Sequence, residues 1–411
     1  MDKSEKRVVI IGGGQAGFQA AHVLRAKGHA GPIDIIAGEP FLPYQRPPLS
    51  KAYLEGTFER ERLFLRQEAY YVMQNISVHQ NMKAVAIDKK AKHVSTDAGI
   101  GFDYDALILA TGARLRRLPE SVCAPKTDGV YYLKGIADVD ALKVGLEKHE
   151  SFIIIGGGFI GLESAATLTK LGKKVTVIEA QDSIIPGLSA PQMVAFLESL
   201  HRDKGAKILT GAMVASIVKT GGGFGARLKD GRVLRADAII VGIGVIPNTD
   251  LGESIGIKTD RGLCVDARAL SNIADVYAAG DCAHGINLRY GGPVHLESVQ
   301  NAIDQAGVAA HHILGLDKPY AATPWFWSDQ YHIKVQMVGL AAGYDEVVMR
   351  GDRDAGKFTL FFFKAGALIC VHTANEPGHH MAARRILDKD KPTTLAQCEA
   401  LGFDLKALMR A

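Results

Sequence analysis

Residues 7–17 read RVVIIGGGQAG and residues 152–161 read FIIIGGGFIG, and these two stretches decide the fold. In each stretch a short β-branched run leads into glycines and then into good helix formers. A second apolar strand follows each predicted helix, at residues 33–37 in the first copy and 175–179 in the second. Strand, helix and strand in this order form a β-α-β unit, repeated here at an interval of about 145 residues. The sequence therefore predicts two related α/β domains.

The glycines of the first copy have the spacing Gly12-x-Gly14-x-x-Gly17. The first glycine permits a tight turn, the second lets a pyrophosphate approach the backbone, and the third lets the helix pack on the strand. Glu39 lies 22 residues after Gly17, near the end of the next strand, where a carboxylate would hold a ribose diol. One such motif is also compatible with a plain glycine-rich turn, but strand, helix and acidic residue in register favour a dinucleotide site.

The second copy has the glycines Gly156, Gly158 and Gly161, and its acidic residue is Glu179. Two complete fingerprints predict two dinucleotides, which points to a flavin beside a nicotinamide. A carboxylate at Glu179 would bond the 2′-hydroxyl of NADH and repel the 2′-phosphate of NADPH. Residues 180–201 contain no Arg or Lys, so the sequence favours NADH.

Three further turns at predicted strand ends match an architecture with two dinucleotide domains. Each is unremarkable alone, and their order along the chain carries the argument. The third would place a carboxylate on the ribityl chain of a flavin. The three turns are Ala110-Thr111-Gly112, Gly242-Ile243-Gly244 and Gly280-Asp281.

The remaining pattern divides the chain into three. Residues 214–241 predict a small meander, and a helix is expected from about Ser298 to Leu314. Beyond Pro324, aromatic-rich strands and a terminal helical stretch predict an α+β domain. The expected division is 1–117 with 243–320 for FAD, 118–242 for NADH, and 321–411 for the C-terminal domain. The fold class is α/β, with two Rossmann-like domains in a glutathione-reductase-like arrangement.

Composition excludes several functional classes. The 411 residues are 47% hydrophobic with a net charge of only +4, so no general nucleic-acid surface is expected. No apolar run approaches the roughly 20 residues needed to span a bilayer. The N-terminus runs from charged residues directly into VVII, without the apolar segment of a signal peptide. Five widely spaced cysteines show no CxxC pair and no metal-ligand spacing. A reducing, cytoplasmic compartment is expected.

Several longer segments resemble one family of flavoproteins. They are PYQRPPLSKAYL (43–54), GGGFIGLESAA (156–166), GIGVIPN (242–248), AAGDCA (278–283), HLESVQNAIDQA (295–306) and PWFWSDQY (324–331). The chain is identified on these as a member of the bacterial FAD-dependent NADH:ferredoxin reductases of oxygenase systems, of the putidaredoxin reductase-like type. The resemblance implies FAD in the first domain, NADH in the second, and a C-terminal domain that helps to dock an acidic 2Fe-2S ferredoxin. That ferredoxin would serve a haem monooxygenase or a Rieske oxygenase.

The resemblance also supplies candidate site residues. The catalytic candidates are Lys51, Glu163 and Trp327. The candidates for contact with FAD or NADH are Gly12, Gly14, Ala16, Gly17, Gly38, Glu39, Arg46, Lys51, Ala84, Ala110, Thr111, Gly112, Lys134, Gly156, Gly158, Phe159, Ile160, Gly161, Glu163, Glu179, Gly242, Gly244, Gly280, Asp281, Glu297, Ser298, Val299 and Trp327.

This chain departs from the family pattern at three of these or neighbouring positions. Gly38 stands where an acidic residue is common, so Glu39 would hold the ribose alone. Lys134 and His295 each stand where arginine is common. Lysine at position 134 would weaken one FAD contact, and histidine at position 295 would reduce positive charge on the expected docking face.

Hydride transfer between nicotinamide and flavin needs stacked rings in a dry slot, and Lys51 with Glu163 would lie beside it. Glu163 is expected within the first turn of the second-domain helix, with Lys51 reaching it from the first domain. The pair would position the rings and compensate charge on the reduced flavin. The alternative is a surface lysine and a helix-start glutamate. Phe159 would cover the flavin or pack in the core, and Trp327 would shield the flavin edge, carry electrons or simply pack.

An absence bears on the second half-reaction. Disulphide reductases of this architecture keep cysteines beside the flavin, but residues 41–68 contain none. Single-electron transfer to an iron–sulfur protein is the remaining fit. A cysteine-free NADH oxidase, a rubredoxin reductase and a redox-sensing interaction flavoprotein of the apoptosis-inducing-factor type stay open. Candidates for a basic docking rim are Arg66, Arg114, Arg116, Arg117, Lys334, Arg384 and Arg385.

Overall fold

The computed structural model describes residues 3–400 and residue 405. Their contacts form two compact units. The first contains residues up to 45, 60–114 and 246–322, and the second contains 46–59, 115–245 and those from 323 onward. The segment Arg46–Glu59 thus clusters with the second unit, although we expected it in the first domain. The three-domain division of the sequence stays a prediction.

The α-helices of the described residues follow one another in chain order. They are α1 (Gln15–Ala26), α2 (Ala52–Glu55), α3 (Glu68–Met73), α4 (Ile136–Leu146), α5 (Phe159–Lys170), α6 (Pro191–Asp203), α7 (Asp250–Ser254), α8 (Val299–Ile313), α9 (Pro377–Asp388) and α10 (Leu395–Glu399). Short 3₁₀ turns occur at Lys3–Glu5, Pro47–Ser50, Arg60–Leu63 and Leu288–Tyr290.

The β-strands are numbered in the same way. They are β1 (Val8–Ile11), β2 (Ile33–Ile36), β3 (Ile76–His79), β4 (Ala84–Asp88), β5 (His93–Thr96), β6 (Gly101–Asp103), β7 (Ala106–Leu109), β8 (Ala113–Leu115), β9 (Val130–Tyr132), β10 (Ser151–Ile155), β11 (Lys174–Ile178), β12 (Lys207–Leu209), β13 (Val214–Thr220), β14 (Gly223–Leu228), β15 (Val233–Ala236), β16 (Ala238–Val241), β17 (Val245–Pro247), β18 (Leu263–Val265), β19 (Val276–Ala278), β20 (Ala283–Asn287), β21 (Gly292–Val294), β22 (Trp325–Gln330), β23 (Ile333–Gly339), β24 (Glu346–Asp352), β25 (Lys357–Lys364) and β26 (Ala367–Ala374).

The first unit is built on a parallel sheet with the strand order β19-β7-β1-β2-β3. The central strand β1 pairs with β2 through Val8 and Ile33, and with β7 through Val8 and Ala106. All four of its side chains are buried, which explains the uninterrupted β-branched run in the sequence. Helices α1 and α8 pack together in this unit. The predicted helix from Ser298 is confirmed, with Ser298 as its N-cap.

The second unit repeats this plan with the parallel order β12-β11-β10-β16-β9. The expected meander is confirmed as the antiparallel sheet β13-β14-β15. Apolar side chains of the two sheets share one core, in which Ile155, Phe224 and Ile239 are buried. The duplicated β-α-β units therefore position two glycine turns, one at the end of β1 and one at the end of β10.

The second unit also contains a five-stranded antiparallel sheet of order β22-β23-β26-β25-β24. Helix α9 packs on β23 and β26. The run Phe361–Phe363 on β25 is completely buried, so this sheet is covered on both faces. The α/β fold class with a C-terminal α+β part is confirmed. In the part of the chain that the structure describes, no helix has the length and apolar character to cross a bilayer.

Two glycines make a matched pair for testing the first unit. A Cβ at Gly17 would lie 1.9 Å from the carbonyl oxygen of Gly12, whereas one at Gly307 in α8 would meet nothing within 4 Å. We expect Gly17→Ala to destabilise the protein by at least about 3 kcal/mol, because backbone cannot yield as a side chain can. Gly307→Ala should stabilise it by about 0.5–1 kcal/mol through reduced chain entropy in the unfolded state. Thermal unfolding measures both, and equal effects would contradict this account of the turn.

Stability should also depend on pH through His372 in β26. Burial lowers the pKa of His372 to about 3, against about 6.5 in an unfolded chain. The unfolded state therefore binds more protons between these values, and stability is lost as pH falls from 6.5. We expect the melting temperature to fall over pH 6.5–5 less steeply in His372→Phe than in the wild type. His332→Phe, at an exposed position, is the control and should keep the wild-type slope.

Candidate functional site

The first glycine turn leaves no room for side chains at two positions. Gly12 follows β1 with a φ of +125°, and a Cβ there would lie 2.0 Å from the carbonyl oxygen of Ala110. Gly17 packs as closely on Gly12. These contacts bring the start of α1 directly behind β1 and β7, which is the close helix–strand approach that the fingerprint requires.

The N-terminus of α1 is open to an anion. Gly14 is its N-cap, no side chain caps it, and no acidic residue lies in its first turn. A Cβ at Gly14 would meet nothing within 4 Å, so the space beside the turn is clear. Unsatisfied N–H groups and the helix dipole both favour a phosphate there. This geometry fits the pyrophosphate of a dinucleotide.

The acidic residue of the first site is held by a tyrosine. The Tyr44 hydroxyl donates to Glu39 Oε2 over 2.5 Å, and the carboxylate lies partly exposed just beyond β2. A Cβ at the neighbouring Gly38 would lie 3.1 Å from the stem of Lys83. Glu39 is therefore placed at the strand end that the sequence predicted. Ala84, a further candidate, begins β4 and is partly buried.

Two more predicted turns of the first unit are fixed by hydrogen bonds. The Gly280 N–H donates to the buried Gln305 Oε1 over 3.0 Å, and a Cβ at Gly280 would lie 3.2 Å from that of Ala16. The Thr111 hydroxyl donates to the carbonyl of Asn248, whose side chain donates back to Thr111. The structure therefore places Gly280, Ala16 and the start of α1 together. Asp281 follows Gly280 directly and is partly exposed.

The start of α8 carries three candidates. Ser298 caps the helix by accepting from the Asn301 N–H over 3.1 Å, and Val299 is its first residue. Glu297 lies 3.4 Å from His295 Nε2. This hydrogen bond raises the pKa of His295, which favours the positively charged ring. The replacement of an expected arginine by His295 therefore costs less positive charge than the sequence alone indicated.

The second glycine turn repeats the first. Gly156 has a φ of +108°, and a Cβ there would lie 2.2 Å from the carbonyl oxygen of Gly242. A Cβ at Gly161 would lie 2.1 Å from the carbonyl of Gly156. Gly158 caps α5 with no side-chain hydrogen bond and has open space beside it. Gly244 also takes a positive φ with nothing near it. The turn therefore fits a second pyrophosphate.

A pocket of about 460 Å³ opens at this turn. Glu179 lies in its wall and is 8% exposed. Its Oε2 accepts from the Gly157 N–H over 2.7 Å, and its Oε1 accepts from the Gln181 N–H over 2.9 Å. Two backbone donors thus hold the carboxylate at the pocket surface. The lining residues are Leu118, Ile155, Gly156, Gly158, Ile178, Glu179, Ala180, Gln181, Pro186, Ala212, Met213, Val214, Gly242, Ile243 and Gly244.

Glu163 is a buried carboxylate of the second unit with three side-chain partners. Lys51 Nζ lies 2.7 Å from its Oε2, the Ser50 hydroxyl donates to the same oxygen over 2.6 Å, and the Ser328 hydroxyl donates to Oε1 over 2.6 Å. The Glu163 side chain is 6% exposed and that of Lys51 17%. The expected position in the first turn of the helix is wrong by about one residue. Helix α5 begins at Phe159, before Gly161, so Glu163 is its fifth residue.

Ser328 and Gln330 were not identified from the sequence. Both lie on β22 and are completely buried. Because successive strand residues alternate in direction, Phe326, Ser328 and Gln330 share one face. Phe326 packs on Phe159 with 4.8 Å between ring centroids. The alternation of residues along β22 places this serine and this glutamine on the same strand face as an aromatic residue. That pattern is the sequence signal from which they could have been identified.

The opposite face of β22 carries Trp325 and Trp327. Their rings stack with centroids 5.5 Å apart, and the Arg384 guanidinium lies 4.5 Å from the Trp325 centroid. Trp327 is partly exposed. The two faces of one strand therefore serve different purposes: one carries Ser328 to Glu163 and the other carries an aromatic–cation stack.

The other candidates of the second unit stand as follows. Arg46 donates to the carbonyl of Lys134 over 2.8 Å, which joins the 46–59 segment to the start of α4. Ile160, beside the second glycine turn, is 48% exposed. Among residues 3–400, no group of three or more His, Cys, Asp or Glu side chains forms a metal site.

The proposed basic rim falls into both units and is partly engaged. Arg66 and Arg114 belong to the first unit, and the other five candidates belong to the second. Arg66 lies over the rings of Phe18 and Tyr70. Further contacts are those of Arg114 with Asp250, Arg117 with the Tyr132 ring, Lys334 with Asp329 and Arg384 with Trp325.

Comparison with known proteins agrees with this geometry. Residues 6–306 match the family described as pyridine nucleotide-disulphide oxidoreductase, and residues 325–409 match the domain described as Reductase C-terminal. Rhodocoxin reductase of Rhodococcus erythropolis is 42% identical over 97% of this chain and 93% of its own length.

Two solved structures are similar over nearly the whole chain. The ferredoxin reductase for the CYP199A2 system of Rhodopseudomonas palustris has a TM-score of 0.94 at 38% identity and covers 98% of this chain and 99% of its own. The reductase of the covalent putidaredoxin reductase–putidaredoxin complex has a TM-score of 0.94 at 34% identity, with 98% of each chain covered. The putidaredoxin reductase-like resemblance is confirmed: the chain belongs to the pyridine nucleotide-disulphide oxidoreductase family, whose members use FAD and a nicotinamide nucleotide, in the group that carries a Reductase C-terminal domain.

Proposed function

We propose that the chain is an NADH-dependent ferredoxin reductase, which takes hydride from NADH onto FAD and passes single electrons to a 2Fe-2S ferredoxin. The observation that carries this proposal is the ion pair between Lys51 and the buried Glu163. Lys51 lies in a segment, 41–68, that contains no cysteine. A dithiol reductase needs a thiol beside the flavin to receive an electron pair, and a lysine–carboxylate pair provides none.

The two helix N-termini support the two dinucleotides. The uncapped turn at Gly14 would receive the FAD pyrophosphate, with Glu39 on its ribose and Asp281 on its ribityl chain. The uncapped turn at Gly158 would receive the NADH pyrophosphate, with Glu179 on its ribose. When bound, FAD supplies an acceptor for hydride that can release its two electrons one at a time. The FAD and NADH contacts expected from the sequence remain part of this proposal.

The protein's own contribution would be to place charge beside the redox ring. Lys51 is a compact cation that would offset negative charge as it develops on the flavin. Glu163 holds the Lys51 ammonium 2.7 Å away, which limits the directions that this ammonium can take. A preorganised pair of this kind needs no reorganisation when hydride arrives, and this is the main source of electrostatic catalysis. Trp327 completes the proposed catalytic set at the partly exposed edge of β22.

The names of the relatives support the acceptor. Rhodocoxin reductase, the CYP199A2-system ferredoxin reductase and the reductase bound to putidaredoxin are all named for a redox partner or its system. We infer an acidic 2Fe-2S ferredoxin and, through it, a haem monooxygenase or Rieske oxygenase. All five cysteines are free thiols, which supports a reducing, cytoplasmic compartment.

Electron delivery should depend on a ferredoxin. We expect rapid NADH-dependent reduction of cytochrome c only when a 2Fe-2S ferredoxin of an oxygenase system is present, because the flavin would otherwise have no fast single-electron acceptor. The measurement is cytochrome c reduction with and without ferredoxin, alongside oxygen consumption. Fast oxygen consumption without any ferredoxin would support the oxidase alternative, and turnover with rubredoxin alone would support the rubredoxin alternative. Slow flavin reduction with redox-dependent partner binding would support the sensing alternative.

Discrimination between the nicotinamides should reside in Glu179. A carboxylate held by two backbone donors repels a 2′-phosphate and accepts from a 2′-hydroxyl, and a hydrogen bond to a charged group contributes roughly 1.5–3 kcal/mol. We therefore expect NADH to exceed NADPH in kcat/KM by at least about tenfold, and Glu179→Gln to reduce this ratio by about tenfold or more.

Asp182→Asn provides the matched control for that substitution. Asp182 lies three residues further along and is exposed, so its replacement removes the same charge without touching the two backbone donors. The ratio should be unchanged in this variant. An equal loss of discrimination in both variants would mean that general charge, and not the held carboxylate, selects NADH.

A further inference from the structure

A line of buried polar side chains leads away from Glu163 into the second unit. Gln330 Nε2 lies 3.1 Å from Ser328 Oγ, and His201 Nε2 lies 2.9 Å from Gln330 Oε1. The Tyr331 hydroxyl lies 3.3 Å from His201 Nδ1. Ser328, Gln330 and His201 are completely buried. The line joins α5, β22 and α6, none of which is adjacent to another in the sequence.

The hydrogen-bonding capacity of these groups gives the line a direction. An ionised Glu163 can only accept, so the Ser328 hydroxyl donates to it, and Ser328 Oγ then accepts from the amide of Gln330. The remaining oxygen of Gln330 accepts from His201 Nε2–H. His201 Nδ1 is left as an acceptor for the Tyr331 hydroxyl. The donors of Ser328, Gln330 and His201 therefore all point toward Glu163, and bonds aligned in this way polarise one another in the same sense.

The state of His201 agrees with this order. Burial lowers the pKa of His201 to about 4, so the ring is neutral near pH 7 and has one N–H and one acceptor nitrogen. The N–H must lie on Nε2, because an oxygen of Gln330 faces that nitrogen. The tautomer of the ring thus follows from the orientation of the Gln330 amide, whose nitrogen faces Ser328.

We propose that Ser328, Gln330 and His201 are positioning residues for hydride transfer, which hold the carboxylate of Glu163 and through it the ammonium of Lys51. The inference rests on the proposed role of that pair in flavin reduction. Ser328 holds Oε1, while Ser50 and Lys51 hold Oε2, so each oxygen has its own anchor. Without Ser328, Oε1 is left as a buried acceptor and the carboxylate turns to share Lys51 between both oxygens. The ammonium then leaves the position from which it would face the ring.

The test compares Ser328→Ala, Glu163→Gln and the double variant in the FAD-loaded protein. Flavin reduction at saturating NADH is followed by stopped flow, without ferredoxin. We expect Ser328→Ala to slow reduction by about tenfold, with less than about a twofold change in the Kd for NADH. Because Ser328 acts only through Glu163, adding Ser328→Ala to Glu163→Gln should slow it no further.

Ser164→Ala is the matched control. Ser164 is the next residue on α5 and equally buried, but its hydroxyl donates to the carbonyl of Ile160 in its own helix. This variant removes the same atom beside Glu163 without removing a bond to the carboxylate. It should reduce at the wild-type rate.

A second readout needs no turnover. The infrared difference between wild type and Glu163→Gln, in the resting protein without NADH, identifies the carboxylate band of Glu163. That band should shift in Ser328→Ala toward a more weakly bonded carboxylate and stay in place in Ser164→Ala. Should Ser328→Ala not fold, Gln330→Met takes its place, with reduction slowed about threefold and the same band shifted.

The outcomes separate the two levels of the argument. An unchanged reduction rate in Glu163→Gln would overturn the proposed role of the Lys51–Glu163 pair. If Glu163→Gln reduces slowly, three results would each overturn the positioning role alone. They are a normal reduction rate in Ser328→Ala, an unshifted carboxylate band in Ser328→Ala, and additive losses in the double variant.

Discussion

The burial of one charge organises the second unit. Glu163 is nearly removed from water, and an ionised carboxylate in such a place destabilises the fold unless it is paired and hydrogen-bonded. Its partners come from two separate parts of the chain: Lys51 and Ser50 from the 46–59 segment, and Ser328 from β22. Any arrangement of these parts that failed to bring them together would leave a buried charge uncompensated. The pair is thus a constraint on the fold as much as a feature of the site.

The two glycine turns have nearly the same backbone, but the acidic residues of the two motifs, Glu39 and Glu179, are held by different donors. In both turns, a Cβ added to the glycine would lie within about 2 Å of a carbonyl oxygen, so the turn shape is set by sterics. Glu39 accepts from a tyrosine side chain, whereas Glu179 accepts from two backbone N–H groups. Backbone donors cannot rotate away, so Glu179 is the more rigidly held of the two. A rigidly held carboxylate such as Glu179 would distinguish better between two nucleotides that differ by one phosphate. A site whose nucleotide stays bound needs less of this discrimination.

The sequence predicted whatever depends on local pattern. The two β-α-β units, the strand-end acids, the helix from about Ser298 and the meander follow from spacing, propensity and turn chemistry, which act within a few residues. Two features required tertiary packing and could not be read in this way. Arg46–Glu59 clusters with the second unit because Arg46, Ser50 and Lys51 bond to residues about 90 to 113 positions away. Ser328 and Gln330 look solvent-facing by composition, and only the buried acceptor beyond them explains their place.

In strand β22, local sequence pattern and tertiary packing act together. Six residues present Phe326, Ser328 and Gln330 to one side and Trp325 and Trp327 to the other. The first side completes the bonding of Glu163, and the second carries the stack with Arg384. A change that shifted this strand by one residue would exchange the two faces, leaving Glu163 without its third donor and the tryptophans inside. The C-terminal sheet therefore has to hold the register of β22, and it does so through the antiparallel pairing with β23, in which Ser328 lies opposite Val335. The C-terminal sheet thus supplies a hydrogen-bond donor to a buried carboxylate on α5.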